Sequence, residues 1–161
     1  PGTINLKPFS NLSLENFKQD FEINVLGAVK VIQKYLPVLK KGIEPSILLF
    51  STVASKLGMP YHSSIATSKS AVEGLVKSLG AELASEVRIN AIAPTITDTT
   101  LASGILRNDR MKENMVERHP MKSYLKPSEV AHMANFLISE NASSLSGQIF
   151  EMDYGLVTFK I

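Results

Sequence analysis

Two apolar periodicities alternate along this chain, and that alternation limits the fold more than any other feature. Ser46-Ile47-Leu48-Leu49-Phe50-Ser51 is apolar at consecutive positions and too short for a helix. Such a run suits a strand buried on both faces, as in a parallel sheet. Val87-Arg88-Ile89-Asn90-Ala91-Ile92-Ala93, closed by Pro94, reads as a second strand, and Gly147–Met152 reads as a third. Helical patterns precede each of them. Ser13 is expected to cap a first helix, with Glu15 in its first turn. Phe17, Phe21, Ala28, Ile32, Tyr35 and Leu39 then follow at spacings of three, four and seven, with Pro37 near the end. A second helix surrounds Lys69 and runs to about Ser85. Residues 100–118 are polar with a weaker helical pattern. Pro127 opens a last helix that carries Val130, Met133, Ala134 and Leu137. Helices alternating with buried strands imply right-handed crossovers and an α/β, doubly wound parallel sheet covered on both faces. The 161 residues are expected to form a single domain.

Composition narrows the function classes. The chain is 44% hydrophobic and 20% charged, with a net charge of +2, which fits an ordinary globular protein. Lys40-Lys41 is the densest basic pair, so no nucleic-acid surface is expected. Cysteine is absent, and His62, His119 and His132 are scattered. Disulfides, thiolate chemistry and zinc clusters are therefore not expected. No apolar run approaches the roughly 18 residues that a membrane span requires. Pro1-Gly2-Thr3-Ile4-Asn5 carries neither a starting methionine nor a signal peptide, so the segment reads as the middle of a longer chain.

Three polar residues stand where the pattern calls for something else. Ile65, Lys69, Val72, Val76, Leu79 and Leu83 share one helical face. An ammonium on that stripe either lies at its edge and reaches solvent, or it meets a carboxylate, phosphate, ribose hydroxyl or water. Asn24 lies on the stripe of the first helix, where Asn is mildly unfavourable unless it bonds a backbone carbonyl or serves a site. Thr52 follows the first strand at its carboxyl end, where open α/β sheets bind ligands. The other strand ends carry Pro94-Thr95-Ile96-Thr97-Asp98-Thr99 and Asp153-Tyr154-Gly155. Together, Asn24, Thr52 and Lys69 favour one shared site.

These residues resemble the C-terminal two-thirds of a short-chain dehydrogenase/reductase. The resemblance rests on Asn24-Val25-Leu26-Gly27, similar to the family's Asn-x-x-Gly motif, and on Ser51-Thr52 at its catalytic-serine strand end. Ser68-Lys69-Ser70-Ala71-Val72-Glu73-Gly74-Leu75, Arg88-Ile89-Asn90-Ala91-Ile92-Ala93-Pro94 and Gly147-Gln148 continue it in family order. It covers essentially the whole chain and implies a Rossmann-like fold. The family's Asn-Asn-Ala-Gly turn survives only as Pro1-Gly2. By resemblance, Lys69 binds the nicotinamide ribose and shifts the acid's pKa, and Asn24 holds a relay water through its helix backbone. Thr52 polarises the substrate carbonyl, and Pro94, Ile96 and Thr99 contact the nicotinamide.

The chain departs from that pattern in two ways. The glycine-rich dinucleotide loop and the first three strands are absent, so most of the adenine–pyrophosphate half is missing. The catalytic tyrosine, four residues before the lysine, is Ile65, which cannot donate a proton. Tyr61 and His62 are the candidate replacements. Tyr61 has the right phenol but also suits a pocket wall or hydrophobic staple. His62 matches the tyrosine–lysine spacing of the enoyl-reductase branch but also suits a helix cap or an exposed imidazole. Thr95 replaces a family glycine, and residues 100–118 correspond to the substrate lid, with their charges expected on a solvated face.

The resemblance implies an oxidoreductase using NAD or NADP on a small-molecule carbonyl, alcohol or activated alkene. It also implies a cytoplasmic homodimer or homotetramer joined through the helices carrying Asn24 and Lys69, where Ala71, Gly74, Ser78 and Ala81 would allow close approach. The alternatives are a relative that binds cofactor or partner without turnover, and a module serving mainly oligomerisation.

Overall fold

The computed structural model describes residues 2–159; Pro1 of the shortened turn lies outside them. A three-stranded parallel sheet, in the order β1-β2-β3, is formed by β1 (Ser46–Phe50), β2 (Arg88–Pro94) and β3 (Ile149–Met152). The helices are α1 (Leu14–Phe21), α2 (Gly27–Leu39), α3 (Ser63–Glu82), α4 (Asp109–Arg118) and α5 (Pro127–Ile138). Alternate strand residues feed two cores. Ile47, Ile89 and Ala91 pack with Ile32 of α2 and with Val76 and Leu83 of α3. Ile92 packs on the other face with Leu137, against partly buried Leu48, Val130, Met133 and Phe150. Both faces of the sheet are therefore covered, and the period of two explains why apolar residues fill consecutive strand positions.

The helix ends follow local chemistry. Ser13 caps α1 in a reciprocal pair with Asn16, and Pro127 sits at the start of α5. Arg88 closes the far end of α5 by donating to the carbonyls of Leu137 and Ser139, both at 3.0 Å. Asn90 ties β2 to the turn before β3. Its side chain donates to Leu145 O at 2.8 Å and accepts from Gln148 N at 3.1 Å.

The first helical segment differs from its expected form. A single stripe from Phe17 to Leu39 requires one uninterrupted period, but Glu22–Leu26 forms a π-helical turn between α1 and α2. The wider turn shifts the helical phase. Ile32 is consequently buried, while Phe21 (41% exposed) and Tyr35 (52% exposed) face outward. Residues 100–118 resolve into a short 3-10 turn, Thr100–Ala102, and α4. No helix among the described residues is long and apolar enough to cross a membrane.

Candidate active site

Beside the carboxyl ends of β1 and β2 lies a cavity of about 340 Å³. Thr52 reaches it from the end of β1, His62 from the N-cap of α3, Ile65 and Lys69 from α3 itself, and Pro94, Thr95, Ile96 and Thr99 from the end of β2. Met115 and His119 close it from α4 and its cap. Positions 65 and 69 share one face of α3, and His62 at the N-cap precedes them at the same spacing.

Lys69 is half-buried and donates from Nζ to Phe50 O at 2.8 Å. Desolvation by burial pushes its pKa below the ordinary value, and the Asp20 carboxylate partly opposes that shift. Thr52 Oγ1 accepts from Ala54 N at 3.3 Å, which starts a 3-10 turn at Val53–Ser55. Behind the cavity wall, Glu73 accepts from Ser51 Oγ at 2.6 Å and from Ser55 Oγ. That buried carboxylate fixes the backbone beside Thr52.

Asn24 lies elsewhere. It sits in the π-helical turn, 7% exposed, and does not line the cavity. Its amide donates to Asp20 O at 2.9 Å, Ser68 Oγ at 3.3 Å and Thr3 Oγ1 at 3.4 Å, while its Oδ1 has no partner among the described residues. Asn24 thus joins α1, α3 and the N-terminal segment behind Lys69. Tyr61 also stays outside the cavity; it has a φ of 68° and is 58% exposed. His62 faces inward, with Nδ1 2.7 Å from Pro60 O. That carbonyl can only accept, so Nδ1 carries a hydrogen and Nε2 is left for the cavity.

Two polar clusters had no reading in the sequence. Asp20 is fully buried and accepts from Asn5 Nδ2 at 2.9 Å, Ser64 Oγ at 2.6 Å and Thr3 Oγ1. Its spacing of four from Asn24 was a usable signal, since both share a helical face. His119 is 1% exposed, with Nε2 2.7 Å from Thr95 Oγ1 and Nδ1 2.6 Å from Met115 O. Its partner Thr95 is 24 residues away, beyond any local pattern. Among the described residues no group of His, Asp or Glu could hold a metal ion.

A family model described as enoyl-(acyl carrier protein) reductase matches residues 2–157. A tropinone reductase homolog of Arabidopsis thaliana is 33% identical over 156 residues, which is 96% of this chain and 60% of that protein. A carbonyl reductase [NADPH] of Sus scrofa is 26% identical over 93% of this chain and 62% of its own length. The ligand-free aldohexose dehydrogenase of Thermoplasma acidophilum superposes with a TM-score of 0.92 at 28% identity, covering 99% of this chain and 66% of that one. The chain therefore spans about 60% of the length of the relatives it matches.

Proposed function

Because the chain belongs to the short-chain dehydrogenase/reductase family, we propose that it carries the nicotinamide and substrate half of an NAD(P)-dependent oxidoreductase. The substrate would be a small carbonyl compound, alcohol or activated alkene. The 161 residues would be one incomplete Rossmann domain, working in the cytoplasm. The observation that supports this reading is the convergence of Thr52, Lys69, Pro94, Ile96 and Thr99 on a single cavity. A relative named for NADPH supports the cofactor class.

The residues present fit a nicotinamide nucleoside. Among the described residues Lys69 Nζ donates to one backbone carbonyl, and it has donors left for ribose hydroxyls. When bound, the reduced nicotinamide supplies a hydride. Thr52 Oγ1 already accepts from Ala54 N, so its hydrogen is available to a substrate carbonyl oxygen. We assign the proton donor to His62 rather than Tyr61, because His62 lines the same cavity as Lys69 and Tyr61 does not. In reduction the imidazolium would donate from Nε2, and in oxidation the neutral ring would accept there. Asn24 Oδ1, a buried acceptor with no donor among the described residues, suits a relay water behind Lys69.

Hydride transfer in the protein made from its complete coding sequence tests the proposal. His62→Ala should lower turnover about a hundredfold or more, Tyr61→Phe should change it less than threefold, and Lys69→Ala should abolish it. Equal losses for His62→Ala and Tyr61→Phe would remove the assignment. Ile65, at the family's tyrosine position, favours the second reading, a relative without turnover. Cofactor binding with no hydride transfer to any carbonyl would establish that one.

We further propose that α2 and α3 pair across a two-fold axis into a homodimer or homotetramer. Val31, Tyr35 and Val38 form an exposed face of α2, and Gly74, Ser78 and Ala81 are exposed on α3. A monomer by light scattering would overturn this.

A further inference from the structure

We infer that Thr95 and His119 select substrates by accepting a hydrogen bond from a hydroxyl group, so that hydroxy-bearing carbonyl compounds are preferred over their deoxy analogues. The inference rests on the oxidoreductase reading for the carbonyl, but the pair itself is built from this chain alone.

The Met115 carbonyl accepts only, so the hydrogen of the neutral imidazole lies on Nδ1, which is 2.6 Å from it. Nε2 then carries a lone pair, and its partner at 2.7 Å is the Thr95 hydroxyl. Thr95 must therefore donate its single hydroxyl hydrogen to His119. Its backbone is committed as well: the amide donates to Met152 O at 2.9 Å, and the carbonyl accepts from Thr97 Oγ1 at 3.1 Å. What remains to the Thr95 side chain is the unused acceptor capacity of Oγ1, in a residue that lines the cavity. His119 is 1% exposed and Thr95 is 7% exposed, so bulk water competes poorly for that acceptor.

The pair is also rigid. Thr95 directly follows the last residue of β2, and His119 is anchored by the last turn of α4. Lys122 N further donates to His119 O at 2.9 Å. An acceptor that cannot turn into a donor discriminates by charge pattern. A substrate hydroxyl pairs with it, whereas an alkyl hydrogen or a second carbonyl oxygen leaves it unpaired. A serine or threonine free to rotate would not discriminate in this way, because its hydrogen could follow either partner. The station faces the same cavity as Thr52, Lys69 and His62, so the hydroxyl it reads belongs to the molecule whose carbonyl reacts.

The test compares 1-hydroxy-2-butanone with 2-butanone in the complete protein with reduced cofactor. It is paired with ¹⁵N NMR of the histidine rings in the absence of cofactor. The expected kcat/KM ratio favours the hydroxyketone about tenfold, mainly through KM. Thr95→Val should bring that ratio near one, and Thr95→Ser should restore it. In the NMR arm, the His119 hydrogen should reside on Nδ1 with Nε2 as the acceptor, and the Nε2 signal should move with the hydroxyketone but not with 2-butanone. Equal kcat/KM for the two ketones, a ring protonated on both nitrogens, or a His119 signal indifferent to the hydroxyketone would each overturn the inference. If neither ketone turns over while the selective NMR shift persists, the oxidoreductase reading fails and the hydroxyl station stands. The NMR arm uses the unaltered protein, so it decides the question even if Thr95→Val does not fold.

Discussion

Lys69 occupies a position that a stable core alone would give to an apolar residue. Desolvation is the larger influence on its ammonium and lowers its pKa from the ordinary 10.5, with Asp20 opposing. A lysine whose folded pKa lies below its unfolded value is disfavoured in the fold while both states are protonated. That cost is present in full at neutral pH and is relieved as pH rises through the folded value toward 10.5. Lys69→Met should therefore be at least as stable as the native chain at pH 7. Its advantage should shrink as pH approaches the ordinary lysine value, since the native chain gains stability there and the variant does not. Thermal melts of both proteins across that range check the sign. A variant that melts lower at pH 7 would show that the Phe50 carbonyl and Asp20 more than offset desolvation. Asp20 itself is held by neutral donors on three sides, so it stays fixed whether or not Lys69 engages a ligand.

At the level of elements, α3 meets the turn before β3 backbone to backbone. A Cβ on Gly80 would lie 2.8 Å from Gly147 Cα and 3.1 Å from Gly147 N. The Gly147 backbone cannot yield easily, because its amide donates to Ile89 O at 2.7 Å and its φ is +72°. Alanine normally gains about 1 kcal/mol over glycine inside a helix. Here the backbone clash should reverse that gain, and Gly80→Ala should destabilise by about 1–3 kcal/mol. Urea denaturation measures it, with Gly104→Ala as the contrast: nothing lies within 4 Å of a Cβ there, so that variant should be close to neutral. The π-helical turn is the other decisive local feature. It places Asn24 against Ser68 and divides the first helical segment into α1 and α2.

At the scale of the whole molecule, the pairing described for β1 is with β2 alone. Phe50 on that strand is 45% exposed, and its carbonyl is the one that holds Lys69. The relatives are longer, and this chain has no glycine-rich turn to supply backbone donors for a pyrophosphate. The 161 residues alone should therefore bind NAD or NADP more weakly than micromolar by calorimetry. Micromolar affinity would mean that the nicotinamide half suffices.

The order of elements, the parallel sheet and the family could be read from the sequence. Strand and helix periods are local, and the motifs at Asn24, Lys69 and Arg88–Pro94 keep their spacing. The cap at Ser13 and the start of α5 at Pro127 were equally local. The phase of the first helix was not readable, because the π-helical turn depends on how Asn24 and Asp20 pack against α3. Nor did spacing separate Tyr61 from His62. They are neighbours in sequence, and only the left-handed backbone at Tyr61 turns one outward while the other faces the cavity. Thr95 and His119 meet through the approach of α4 to the end of β2, a contact between distant segments that no period encodes. Backbone preference and burial pattern act over a few residues, whereas the site's geometry belongs to the packing of helices on strand ends, and only the tertiary structure decides that.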